Sequence, residues 1–212
     1  MAMTAGYRTL IVVPCYNEAR RLDGAAFEAF LQTTSDVGLC FVDDGSTDDT
    51  FTVLTELARG YDAVDVHRLE RNAGKAEAVR QGILRALERE PEFVGYWDNA
   101  ARHYVGRLIA TAAAGTLALP VYDTQCGAKL LRAAGARPLF ERAFCARWMF
   151  DVELIARIIA QEGSRARAGL YLREIPLKEW RHVRGSKIRV RDGVLALREL
   201  YRIYKQYPAR RS

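Results

Sequence analysis

The chain has 212 residues, half of them hydrophobic and 27% charged, with a formal net charge of +6. That composition supports a substantial buried core and excludes intrinsic disorder, while 16 Gly and 6 Pro exclude collagen-like or low-complexity character. Cys15, Cys40, Cys126 and Cys145 form no CxxC pair and no zinc-spaced cluster with histidine, which favours a reduced, cytosolic protein, and the apolar run near the N-terminus is too short for a membrane span.

Arg8 to Val13 (RTLIVV) is a continuous apolar run ending at Pro14, the pattern of a strand buried on both faces. Asp23 is placed to cap a helix carrying Phe27, Phe30 and Leu31. A second buried strand is expected over Gly38 to Asp43. Thr47 or Asp48 then caps a helix with Val53, Leu54 and Leu57 on one face, which Gly60 stops. Val64 to Leu69 reads as a third strand, leading through Asn72-Ala73-Gly74 into a helix with Val79, Ile83, Leu84 and Leu87 at helical spacing. Phe93 to Trp97 is the fourth strand. This alternation predicts an α/β fold, a mostly parallel sheet with helices on both faces.

Beyond Asp98 the rhythm changes to an α+β pattern. Arg102 to Leu119 reads as a helix, Ala128 to Arg132 as a short strand and Val152 to Gln161 as an amphipathic helix. Tyr171 to Ile175 reads as a strand and Ile188 to Tyr207 as a long basic helix. Charge shifts at the same place: residues 1–100 carry 10 Lys and Arg against 17 Asp and Glu, whereas residues 101–212 carry 22 against 9. From Lys178 to Ser212 eleven cations face only Glu179, Asp192 and Glu199, which suits an anionic membrane surface or a phosphate-bearing substrate. A nucleic-acid partner is disfavoured, because the basic half has neither interleaved aromatics on a sheet face nor a helix-turn-helix signature.

In an open α/β sheet, ligands bind beyond the carboxyl ends of the strands. Those ends here read Pro14-Cys15-Tyr16-Asn17-Glu18, Asp43-Asp44-Gly45-Ser46, Asn72-Ala73-Gly74-Lys75 and Trp97-Asp98. Carboxylates there can accept from a base or ribose, Tyr16 can stack, and Lys75 at a helix start can meet a phosphate. No GxGxxG follows the first strand and no GxxxxGK[ST] occurs, so dinucleotide and P-loop readings fail.

The segments VVPCYNEARRL, FVDDGSTDDT, ERNAGKAEAVRQG and GYWD resemble the successive motifs of family-two inverting glycosyltransferases with the GT-A fold. YDTQCGAKLLR, RWMFDVELIARI and IPLKEWRHVRGSKIRVRDG resemble the branch that moves glucose from UDP-glucose to dolichyl or polyprenyl phosphate. The resemblance implies one GT-A-like domain over 1–212, with a nucleotide-sugar half over 1–98 and an acceptor half over 102–212. It further implies that Pro14, Tyr16 and Glu18 frame the nucleoside, Asp44 meets the uracil edge and Lys75 approaches the nucleotide. Asp98 is implied as first carboxylate of a DxD motif holding Mg²⁺ or Mn²⁺ against the diphosphate. Asp123 and Asp151 are implied as carboxylates near the reacting centre, with Gln125, Glu153, Arg181, His182, Ser186 and Lys187 on the acceptor side. Asp151 is equally placed to cap the helix that begins at Val152, and His67 and His103 read as structural. The same resemblance admits GDP-mannose as donor, a soluble acceptor, or a nucleotide-sugar-binding relative without catalysis. The enzyme it implies lies in the cytoplasm, peripheral at the inner face of the membrane.

One feature departs from the pattern. Asp98 is followed by Asn99, Ala100, Ala101 and Arg102, with no second aspartate and no room for the helix and strand of a further βαβ step. The expectation is an omitted segment between 98 and 102 rather than a true deletion, since excision would remove part of the core and of the metal site.

Overall fold

The computed structural model of the chain describes residues 6–97, 127–175 and 190–207, of which 190–194 as backbone only. The expected helix over 102–119 lies outside the described residues. So do Asp98, Asp123, Gln125, Arg181, His182, Ser186 and Lys187. The chain divides into two units, residues 1–99 with 127–143, and residues 100–126 with 144–212.

In the first unit, β1 (Thr9–Cys15), β2 (Val37–Asp43), β3 (Val64–Arg68) and β4 (Phe93–Trp97) run parallel, and β5 (Ala128–Arg132) lies antiparallel on the edge of β4. The order is β3-β2-β1-β4-β5, so the chain steps outward from β1 in one direction and then returns to its other side. Leu39, Phe41 and Val42 of β2 are fully buried, as befits a strand covered on both faces. On one face, Val13, Leu39 and Phe41 pack with Phe27 and Leu31 of α1 (Gly24–Thr33) and Leu54 of α2 (Thr50–Gly60). On the other face α3 (Lys75–Leu87) lies so close that a Cβ on Gly82 would stand 2.5 Å from Val12 Cγ1 and 2.8 Å from Val42 Cγ2. Each large apolar side chain sealed in this way contributes about 1.5–3 kcal/mol. The buried Asp65 of β3 is held by Arg85 (2.9 Å) and Arg89 (3.2 Å), fixing the far end of α3 to the sheet edge.

Asp23 caps α1 by accepting the Ala26 N–H at 3.0 Å, as its position predicts. At α2 the helix begins later than expected. Asp49 occupies the cap position, while Asp48 accepts the N–H of Thr50 at 3.0 Å. The helix α4 (Ala133–Phe140) has no counterpart among the expected elements and contains Gly135 and Pro138, both unfavourable in helix interiors. Arg80 donates to the carbonyls of Phe140 (3.3 Å) and Glu141 (3.2 Å) at the helix's C-terminal end.

The second unit holds α5 (Phe150–Glu162), α6 (Arg165–Tyr171) and α7 (Val190–Gln206). Its core joins Ala146, Met149, Val152 and Ala156 to Ala196 and Ile203, with Trp148, Leu200 and Tyr207 against them. The strand expected over Tyr171 to Ile175 is not formed: Tyr171 ends α6 and 172–175 have no regular structure. Gly163, at φ 78°, closes α5, and Ser164 opens α6 by accepting the Arg167 N–H at 3.2 Å.

Candidate functional site

The chain reverses direction across the sheet between β1 and β4, and the crevice at that switch point is where an open α/β sheet binds its ligand. Pro14, Tyr16, Glu18, Asp44 and Lys75 all follow or end strands on this side of the first unit. Tyr16 beyond β1 is 44% exposed and Trp97 at the end of β4 is 43% exposed, the latter edge-on to Phe27 (6.0 Å) and Phe30 (6.5 Å) of α1. Both keep an aromatic face in solvent.

The loops beneath are laced by side chains. Asn17, left-handed at φ 52°, donates its N–H to Ser46 Oγ at 3.0 Å and accepts the Thr47 N–H at 2.9 Å. Thr50 Oγ1 accepts the N–H groups of Glu18 (2.8 Å) and Ala19 (3.0 Å), which ties the β1 loop to the first residue of α2. Asp43 Oδ1 accepts the Ser46 N–H at 3.1 Å, and its Oδ2 lies 3.2 Å from Arg68 Nε, paired by charge without a well-directed hydrogen bond. Arg68 also sits 4.7 Å above the Phe51 ring.

Asp44 is buried and spans two loops. Oδ1 accepts the Ala73 N–H at 2.7 Å and Oδ2 the Gly74 N–H at 2.9 Å, so its carboxylate holds the turn that leads into Lys75. Gly45 beside it has φ 64°, and a Cβ there would stand 2.4 Å from the Arg71 carbonyl carbon, so only glycine lets the two loops meet. Gly74 precedes α3 with no side-chain cap hydrogen bond, so the positive end of a 13-residue helix opens at this turn. Glu18 is nearly buried, and Arg21 grips it through both guanidinium edges, with Nε at 2.8 Å from Oε2. Its carboxylate therefore shapes the loop while Tyr16 presents the open face.

In the second unit Asp151 and Glu153 share the first turn of α5. Met149, and not Asp151, occupies the cap position. Asp151 is buried there. Glu153 is fully buried: Oε2 accepts the Ala146 N–H (3.0 Å), and Oε1 accepts from Arg157 (2.8 Å) and the Tyr207 hydroxyl (3.3 Å). Arg157 stacks 4.1 Å over Phe144. From α7, Glu199 receives the N–H groups of Arg147 (3.1 Å), Trp148 (3.0 Å) and Met149 (2.9 Å), capping the start of α5 from outside its own sequence. Burial pushes the Cys40 and Cys145 thiols up to about 12, Cys145 further helped by its hydrogen bond to Glu153, which keeps both in the thiol form at neutral pH.

Residues 10–108 match the model of one family, Glycosyl transferase family 2. Two relatives are each named dolichyl-phosphate beta-glucosyltransferase. The one from Drosophila melanogaster is 28% identical over 93% of this chain and 74% of its own, and the one from Mus musculus is 29% identical over 84% and 68%. Among solved structures, glucosyl-3-phosphoglycerate synthase from Mycobacterium tuberculosis shares the fold. Its phosphoglyceric acid complex has a TM-score of 0.61 at 14% identity, covering 98% of this chain and 82% of that one. Its complex with Mn²⁺, UDP and glucosyl-3-phosphoglycerate covers the same shares, at a TM-score of 0.57 and 16% identity.

The alignment with the Drosophila relative extends over 257 residues, more than the 212 of this chain, so that relative carries internal residues without a counterpart here. Among the described residues no group of three or more His, Cys, Asp or Glu side chains is placed to hold a metal ion. Asp98, the carboxylate implied as a metal ligand, lies outside the described residues, and in the sequence Asn99 and Ala100 follow it where a second carboxylate would stand.

Several residues that shape the loops of the first unit or the α5 entry of the second escape sequence reading. Asn17, Thr50, Arg68 and Glu199 act through contacts 22 to 52 residues away along the chain. Only Asn17 carried a local signal, as an asparagine that tolerates the left-handed region.

Proposed function

We propose that this chain transfers glucose from UDP-glucose to a dolichyl or polyprenyl phosphate with inversion at the anomeric carbon. The observation that carries this reading is the likeness to two dolichyl-phosphate beta-glucosyltransferases across 84–93% of the chain. The crevice of the first unit is suited to the donor. Tyr16 offers a stacking face for the base, with Pro14 and Glu18 framing it. Asp44 fixes the turn from which the α3 N-terminus and Lys75 meet the diphosphate.

In the reaction, an acceptor phosphate oxygen forms a bond to C1 from the face opposite the leaving group. The C1–O bond to UDP breaks and its electron pair departs with the β-phosphate. The acceptor is already ionised near neutral pH, so no base has to remove a proton, and orientation with charge compensation does the work. Arg181, His182, Ser186 and Lys187 are assigned to the acceptor phosphate, Gln125 to its loop, and Asp123 and Asp151 to the surroundings of the sugar. Glu153 belongs to the acceptor half as the residue that sets the α5 entry on which Asp151 stands. A divalent cation, present as Mn²⁺ in the Mycobacterium complex, would add counter-charge to the departing UDP, with Asp98 as its protein ligand.

The test is incubation of the purified chain with labelled UDP-glucose, Mg²⁺ and a short polyprenyl phosphate. Label entering the lipid as the β-linked product is the expected result, and no transfer across several donors and acceptors would overturn it. Asp98→Asn should abolish transfer; full activity in that variant removes the metal role.

A further inference from the structure

The C-terminal helix α7 has two apolar faces. Ala196, Leu200, Ile203 and Tyr207 recur at helical spacing and pack into the core of the second unit. Leu197, Tyr201 and Tyr204 form a second stripe about 100° around the same helix, 66%, 64% and 52% exposed. Beside that stripe stand the exposed Arg198, Arg202 and Lys205. Glu199 is turned inward onto the start of α5, so between Leu197 and Lys205 the exposed charges are all cations.

We propose that the outer face of α7 docks on an anionic lipid bilayer surface, with Leu197, Tyr201 and Tyr204 entering the headgroup region and Arg198, Arg202 and Lys205 meeting lipid phosphates. The choice of a bilayer as partner rests on the proposed lipid-phosphate acceptor, while the surface itself rests on α7. The pattern is that of a helix lying in the interface: tyrosines with an apolar body and a polar tip, a leucine, and cations along one side. Among the described residues no helix is long and apolar enough to cross a membrane, so attachment by α7 lies flat on the surface. The cations supply the complementarity that selects anionic over neutral lipid. Since α7 also carries Glu199, the element that docks is the one that caps the helix bearing Asp151.

The experiment is co-sedimentation of the full chain with vesicles of phosphatidylcholine alone and of phosphatidylcholine mixed with phosphatidylserine, at low and high salt. Binding is expected to the mixed vesicles only, weakening with salt and falling about fivefold for each of Arg198→Gln, Arg202→Gln and Lys205→Gln. The triple variant L197S/Y201S/Y204S should lose binding at every salt concentration while keeping the wild-type melting temperature and circular dichroism. Equal binding to both vesicle types, or binding unchanged in the charge variants, overturns the proposal. So does a wild-type dimer that the triple variant converts to monomer, which would make the stripe a contact between copies. Transfer to a short polyprenyl phosphate in solution separates the two readings. Transfer retained with vesicle binding indifferent to the variants defeats only the docking surface, and anionic-vesicle binding that follows the variants without any transfer defeats only the enzymatic reading.

Discussion

Replacing Asp44 by asparagine separates what its carboxylate holds from what it is proposed to bind. The wild-type carboxylate accepts two N–H groups, from Ala73 at 2.7 Å and Gly74 at 2.9 Å, at a buried position. An asparagine offers one acceptor oxygen and one NH₂ donor, so one of those N–H groups must face another donor. A hydrogen bond to a charged group is worth about 1.5–3 kcal/mol, and the loss is close to that whole value because the orphaned donor is shielded from water. For a chain of this size each kcal/mol moves the midpoint by about 2–4 °C, which gives a drop of roughly 3–12 °C. The turn before Lys75 loosens with it, so UDP affinity should fall as well. Differential scanning calorimetry and isothermal titration with UDP read the two effects. A midpoint within about 1 °C of wild type would refute the claim that this carboxylate holds the turn. A lowered midpoint with unaltered UDP affinity would leave Asp44 a purely structural residue.

Glu199→Ala removes the acceptor for three successive N–H groups and should destabilise the second unit by about 2–3 kcal/mol, with Glu199→Gln recovering part of the loss. Hydrogen exchange at Arg147 to Met149 should accelerate in the alanine variant, and unchanged exchange would show that the cap carries nothing. Acid should act through Glu77, whose carboxyl is held below its usual value first by the hydrogen bond from Arg80. A lowered folded pKa gives stability that is present above the unfolded value near 4.3 and lost as pH falls through the folded one. Glu77→Gln should therefore cost under about 1 kcal/mol at pH 7 for this partly exposed pair, with the difference from wild type closing below about pH 4. A difference that stays constant with pH would contradict the assignment.

The parallel strands were legible because strands buried on both faces must be continuously apolar, as TLIVVPC and VGLCFVD are. The loop residues at their carboxyl ends were legible as a group, since the position of a ligand follows from the topology. What they do there was less legible. The acidity of Glu18 and Asp44 suggested ligand contacts, whereas both are first engaged by Arg21 and by two backbone N–H groups. The alternation in YLREI suggested a strand, but the cap at Ser164 had already committed the preceding segment to a helix. Local patterns also did not expose α4, which contains Gly135 and Pro138 and whose last carbonyls are met by Arg80, more than fifty residues earlier.

The antiparallel strand β5 has a bearing on how the first unit is completed. Its pairing with β4, from Phe93 opposite Arg132 to Trp97 opposite Ala128, is made by chain that follows after an intervening stretch. On a ribosome, β4 emerges with an open edge, and the Arg80 side chain has no α4 carbonyls to meet until about forty further residues are made. A fragment cut after Trp97 would expose that edge to pairing with other chains. An isolated first unit should therefore be taken through Ala143, keeping the returning strand and helix with the sheet they close.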